Sequence, residues 1–202
     1  MHGLDPARRT VLLLPGSRAK EIDYILPQLL AAVRELSATG QYQFPLGLAH
    51  TLDRRDLETR VQSAGVPVPV IDSDLYNLIA ASDIALVTSG TATLECALLE
   101  CPMVIVYRLS PLTFALGRLL VRGVSHVGMP NIVAEREVVP ELLQGDVTGG
   151  NIAAAARAIL DDPARQATMR AGLREVRQRL GRGGAADRAA AIAVEMMRAG
   201  RP

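Results

Sequence analysis

Between residues 10 and 107 the chain alternates between short apolar runs and segments of helical period, and this limits the fold more than any other feature. Residues 10–14 form a continuous apolar run that stops at Pro15-Gly16, as a strand buried on both faces does. Similar runs occupy residues 44–49, 66–71, 84–88 and 103–107. Helical patterns fill the gaps at residues 20–38, 53–64, 75–81 and 91–99. In the first, Ile22, Ile25, Leu26, Leu29, Leu30, Val33 and Leu36 fall on one face, Pro27 predicts a late start or a kink, and Gly40 supplies a stop. Five strands separated by helices predict an α/β fold of Rossmann-like type, a parallel sheet with helices on both faces.

Beyond residue 110 the pattern turns mostly helical, at residues 112–121, 139–144, 148–160, 163–180 and 185–198. Thr148 suits a cap, as does Asp162 with Pro163 in the first helical position. The expected organisation is one domain over residues 1–202, with a sheet core at about 10–110 and a helical extension at 111–202 packed on one end of the sheet. There is no internal repeat and no long linker.

Composition removes several function classes. Hydrophobic residues make up 49% of the chain and charged residues 21%, enough apolar material for a sizeable core and too much for global disorder. With 22 basic and 21 acidic residues the net charge is +1, and aromatics are only 3%. Neither the charge nor the stacking surface of a dedicated nucleic-acid binder is present. Cys96 and Cys101 are too few for a disulfide scaffold or a complete zinc site and read as small buried thiols in a reducing cytoplasm. The apolar stretch at residues 11–14 is too short for a secretory core, and no run approaches the length of a membrane span.

Open parallel sheets bind ligands beyond the carboxyl ends of their strands, and two loops there have a composition suited to anions. In Leu14-Pro15-Gly16-Ser17-Arg18, Gly16 permits close backbone approach, Ser17 offers a hydroxyl and Arg18 a planar fork of donors, ahead of a helix N-terminus. The same pentapeptide also suits an ordinary turn capped by Ser17. In the second loop, Thr88 to Glu95, the residues Ser89, Gly90, Thr91, Ala92 and Thr93 can surround a diphosphate with N–H and hydroxyl donors. Glu95, one turn past Thr91, can accept from ribose hydroxyls, or it is a solvated residue behind a cap. No P-loop motif occurs, and Gly181-Arg182-Gly183-Gly184 follows a helix, so it is no dinucleotide fingerprint. Asp72-Ser73-Asp74 has the form of a metal-binding pair, but a helix cap is the simpler account. His2, His50 and His126 are scattered and give no support to a catalytic histidine.

The loops carry a family resemblance. Leu13-Leu14-Pro15-Gly16-Ser17-Arg18 with Glu21-Ile22 resembles the first loop of the carboxyl-terminal domain in the lipid-A-disaccharide synthase family. Ser82-Asp83-Ile84-Ala85-Leu86 followed by Ser89 to Glu95 is similar to its central signature. Cys101-Pro102-Met103-Val104, Tyr107-Arg108, Pro130-Asn131-Ile132 and Glu141-Leu142-Leu143-Gln144 continue the match in order. Each motif alone is weak, and together they are specific.

The resemblance implies the donor domain of a GT-B glycosyltransferase, in which two Rossmann-like domains face each other across a cleft. The donor it implies is a UDP-sugar, UDP-diacylglucosamine. The acceptor is a lipid monosaccharide phosphate at the cytoplasmic face of the inner membrane, and the product is a β-linked disaccharide with release of UDP, without cofactor or metal. By carry-over, Arg18 steadies the pyrophosphate with Gly16 and Ser17, Ser89 to Thr93 cradle it and Glu95 holds the ribose. Asn131, Arg136 and Gln144 line the donor pocket. Family members carry a further amino-terminal domain with the catalytic carboxylate and most of the acceptor site, and the expectation is that this acceptor domain is absent here, since Met1 stands just before the first strand of the donor domain. The expectation is therefore UDP-sugar binding with little or no turnover by the chain alone, and self-association as a homodimer or pairing with a split-protein partner. A non-catalytic nucleotide-binding or assembly module and a UDP-sugar epimerase-like domain stay open as alternatives. Residues 112–121, with Phe114, Leu116, Leu119, Leu120, Arg118 and Arg122, suit either a core helix or peripheral membrane contact. Arg170, Arg174 and Arg177 align at helical spacing, as solvated faces commonly do.

Overall fold

The computed structural model describes residues 3–109, 126–181 and 183–199. The chain first lays down β1 (Arg9–Leu14), α1 (Ala19–Ser37), β2 (Tyr42–Gln43), β3 (Leu46–Gly47), α2 (Arg54–Ala64), β4 (Val70–Ile71), α3 (Leu75–Ala80), β5 (Ile84–Thr88), α4 (Thr91–Leu98) and β6 (Met103–Tyr107). Then follow α5 (Met129–Ala134), β7 (Glu141–Leu143), a 3₁₀ turn at Gln144–Asp146, α6 (Gly149–Leu160), α7 (Pro163–Leu180) and α8 (Ala185–Ala199). Seven strands make one parallel sheet in the order β4-β3-β1-β5-β6-β7, with β2 paired to β1.

The central strands are where the apolar pattern predicts them, because strands covered on both faces leave no polar alternation to blur their limits. Val11, Leu12, Leu13 and all of Ile84 to Val87 are fully buried, as are Met103 to Val106. The apolar face of α1 is buried at every position the period marks, and the helix begins at Ala19 and runs on through Pro27, so the proline imposes no late start. Helix α1 packs against α6, while α4 and α5 pack against α7.

From β1 the chain steps to β3 and β4 on one side, then returns to β5 and β6 on the other. Right-handed crossovers then put α1 and α2 on one face and α3 and α4 on the opposite face. The reversal leaves a crevice beyond the carboxyl ends of β1 and β5, paired in register at Leu14 and Val87.

Several expected elements are corrected. The run at 44–49 shrinks to β3, with β2 just ahead of it, because Pro45 between the two strands has no N–H to donate to a ladder, although its carbonyl accepts from Leu13 N at 2.8 Å. The run at 66–71 shrinks to β4, since Pro67 and Pro69 likewise lack donors, and Pro69 O accepts from Leu46 N at 2.9 Å. The helix expected at 139–144 is instead strand β7: Ile105 pairs with Glu141, and Ile105 N donates to Pro140 O at 3.0 Å. Helix α5, with Pro130 in its first turn, has no counterpart in the sequence reading. The expected caps Thr148 and Asp162 accept from the helix N-termini behind them, and Asp53 does the same for α2. The segment 112–121 lies outside the described residues.

Candidate functional site

Three strand ends meet at the crevice. The first junction leaves β1 through Pro15 to Arg18. Gly16 has φ 114°, a conformation an L side chain rarely adopts, and a Cβ there would stand 2.5 Å from Glu21 Oε2. Glu21, in the first turn of α1, reaches back into the loop: Oε2 accepts from Ser17 N at 3.0 Å and Arg18 N at 3.3 Å, and Oε1 accepts from Arg18 Nη1 at 2.9 Å. Ser17 is therefore not the cap. Glu21 fills that role, and the loop is held by a carboxylate from its own helix. Thr51 Oγ1 adds a donor to Ser17 O at 2.6 Å.

The second junction leaves β5 at Thr88. Ser89 N donates to Val106 O at 3.0 Å, and Ser89 Oγ donates to Val127 O at 3.1 Å, tying the loop to the segment before α5. Gly90, with φ 154°, is the N-cap of α4, and no side chain caps the helix. Thr93 is buried and its hydroxyl donates to Gly90 O at 2.7 Å, so its role is to hold the turn. Thr91 is exposed and Ala92 half-buried at the open helix end. Glu95 follows one turn on, where Tyr76 Oη donates to its Oε1 at 3.4 Å.

Beside them, Tyr107 to Leu109 leave β6. The junctions enclose a cavity of about 750 Å³ lined by Arg18, Lys20 and Glu21 from the first, Thr88 and Ser89 from the second, and Arg108 and Leu109 from the third. Of its acidic groups, Glu21 is held by Arg18 and Asp23 by Arg60 at 2.9 Å. Lys20 and Arg108 enter no ion pair among the described residues, so the wall favours an anion.

This cavity lies at the point where the strand order reverses, which makes the chain's relatives informative about it. The family profile described as lipid-A-disaccharide synthetase matches residues 1–195. The chain belongs to that family. A lipid-A-disaccharide synthase from Geobacter sulfurreducens is 43% identical over 196 residues, covering 96% of this chain and 51% of the relative. The chain thus spans about half the length of the curated synthases it matches. Among solved structures, WaaG, a glycosyltransferase involved in lipopolysaccharide biosynthesis, superposes with a TM-score of 0.63 at 15% identity over 94% of this chain and 48% of its own. A UDP-GlcNAc 2-epimerase from Neisseria meningitidis, solved bound to UDP-GlcNAc, gives 0.57 at 16% identity over 82% of this chain and 40% of its own. At these identities the two structures share the fold.

The remaining residues singled out by the synthase motifs have internal partners. Asn131 is fully buried on α5: its Nδ2 donates to Val139 O at 2.8 Å and Glu141 Oε1 at 2.7 Å, and its Oδ1 accepts from Val138 N and Val139 N. Glu141 in turn accepts from Val127 N at 2.8 Å and Gly128 N at 3.0 Å. Asn131 therefore supports the same segment that receives the Ser89 hydroxyl. Arg136 pairs with Glu175 of α7 at 2.5 Å, and that guanidinium holds the Glu175 carboxyl below its ordinary range. Gln144, at φ 51°, closes both backbone groups of Leu109 when its amide is turned to match them, at 3.2 and 3.1 Å. It borders the cavity through Leu109.

Away from the cavity, Asp72 pairs with Arg54 at 2.8 Å and Asp74 accepts from Asn77 Nδ2 at 2.6 Å, so both are engaged in local structure. His50 is exposed, and His126 lies 3.9 Å from Glu141. Arg174 and Arg177 stay mostly solvated, at 58% and 59% exposure, yet the stripe is also engaged: Arg170 donates to Glu100 O at 2.8 Å and the other two pair with its carboxylate at 3.1 and 3.4 Å, fastening α7 to the turn before β6. Sequence reasoning did not select Lys20, Glu21, Thr88 or Arg108 as site residues. The signal for Thr88 was a hydroxyl at the end of a wholly apolar strand.

Proposed function

We propose that this chain is the donor-binding half of an inverting lipid-A-disaccharide synthase. In this reading it holds a UDP-diacylglucosamine at the β1/β5 crevice and releases UDP once the sugar has passed to a lipid monosaccharide phosphate. The observation that carries the reading is the meeting of Arg18 with Thr88 and Ser89 in one cation-walled cavity at the reversal of strand order. Ligands of open α/β sheets bind at that point.

The chemistry follows from the donors. As the glycosidic bond to diphosphate breaks, negative charge grows on the leaving oxygens. Fixed donors there stabilise the transition state more than the ground state. Arg18 offers a charged fork, and the uncapped first turn of α4 offers N–H groups with the positive end of the helix dipole. Glu95 serves the ribose, Asn131 and Gln144 keep the far wall in shape, and Arg136 pairs with Glu175 of α7. The acceptor hydroxyl needs a general base. The base and the acceptor site belong, in this reading, to the half of the relatives' length that this chain does not span. Work at the cytoplasmic face of the membrane follows from the lipid substrates. No helix among the described residues is long and apolar enough to cross a membrane.

Calorimetric titration with UDP tests the proposal. The expected result is saturable binding by the chain, weakened about tenfold in Arg18→Ala, with ADP binding more weakly than UDP. No binding of UDP by the unmodified chain would overturn it.

A further inference from the structure

Thr88 ends β5 at the floor of the cavity. It is only 4% exposed, yet its hydroxyl has no hydrogen-bond partner among the described residues. Its neighbours differ. Ser89 Oγ is bound to Val127 O, Thr93 Oγ1 to Gly90 O, Ser82 Oγ to Leu78 O at 2.6 Å, and Thr10 Oγ1 to Gln43 Nε2 at 2.9 Å. A buried hydroxyl without a partner lowers stability, and valine has the same shape without that cost. The four residues before Thr88 are apolar and fully buried, so a valine would suit the strand. A polar group at such a position, shielded from water in a residue that lines a cation-walled cavity, is available to a ligand that enters the cavity.

We infer that the Thr88 hydroxyl is a ligand contact, donating a hydrogen bond to an oxygen of the sugar-nucleotide donor bound between β1 and β5. The direction of the bond follows from the surroundings. Arg18, Lys20 and Arg108 select an oxygen-rich anion, which accepts, so the hydroxyl donates. This inference rests on the donor-site reading and adds a residue to it. Burial also distinguishes the contact from that of Arg18, whose exposed side chain already has Glu21 as a partner.

Thr88→Val separates affinity from stability, because the two move in opposite directions. Thermal melts without ligand are expected to show Thr88→Val at least as stable as the parent, while titration shows UDP bound about tenfold more weakly. Thr88→Ser, which keeps the hydroxyl, is expected to bind UDP within about threefold of the parent, and Thr88→Ala to lose as much as Thr88→Val. Should Thr88→Val fail to fold, the serine and alanine variants decide alone: loss in both, or in neither, overturns the contact. Parent-like affinity in Thr88→Val overturns it too, leaving the donor-site reading intact. A parent chain that binds no UDP overturns both.

Discussion

The two loops that flank the crevice begin alike, each a buried strand of the sheet running into a helix, and end in opposite states. At the first, Glu21 turns back to meet the N–H groups of Ser17 and Arg18 and the Arg18 guanidinium, so the loop is closed by a charge from within the chain. At the second, Gly90 leaves α4 without a side-chain cap, and Thr88 keeps an unpartnered hydroxyl beneath it. A loop that satisfies its own donors has a fixed shape before any ligand arrives. A loop with open donors keeps them for the ligand. In the donor-site reading proposed above, the first junction presents Arg18 from a fixed loop and the second presents donors that the chain itself leaves open.

The sharpest way to break this comparison is to disturb the closed loop. In Gly16→Ala the new Cβ meets Glu21 Oε2 at 2.5 Å in a left-handed backbone, whereas in Gly90→Ala nothing lies within 4 Å. Urea unfolding is expected to show Gly16→Ala less stable by about 2–3 kcal/mol and Gly90→Ala by about 1 kcal/mol. Equal losses would show that the loops are held alike. Next in size, Arg18→Ala is expected to weaken UDP about tenfold with an unchanged melting temperature, since the side chain is 81% exposed and its pair with Glu21 adds little to folding. A falling melting temperature would recast Arg18 as structural.

Glu21→Ala is expected to lower stability by about 1 kcal/mol, the usual worth of a helix cap, in chemical denaturation. No change there would mean that the loop keeps its shape without the carboxylate. The smallest effect concerns the helix behind the open loop. Burial pushes the Cys101 thiol up to about 12, and pushes that of Cys96 well above its ordinary value. In the unfolded chain these thiols ionise near pH 9, so ionisation favours unfolding. Their contribution is complete below that pH and declines as pH rises toward 12. Thiol-reagent kinetics at pH 9 are expected to show no labelling until urea unfolds the chain. Rapid labelling of the folded protein would place the helix of the open loop, or the turn at Cys101 that follows it, in exchange with an exposed state.

The legible parts of the fold were those with local causes. Strands at 84–88 and 103–107 matched their apolar runs to the residue, and Asp162 with Pro163 marked the start of α7. The segments around Pro45, Pro130 and Pro140 were misread, because a proline marks where a donor is missing but not whether the neighbours pair with a strand or coil into a helix. Strand β7 exists because β6 offers it an edge. Both loops of the candidate site were visible as glycine and hydroxyl clusters. That Asn131 and Glu141 together form the buried support for the 126–128 segment, and that Thr88 stands alone, depends on contacts between distant parts of the chain.

The order of residues by itself determined that this protein would build a parallel sheet with an anion-suited loop after two of its strands, since apolar runs and turn residues act over a few positions. Only the tertiary structure decided that those two loops would be neighbours. Adjacency in a sheet is set by which strands exchange hydrogen bonds, and the return of the chain across β1 to lay down β5 brings together residues that no local pattern connects.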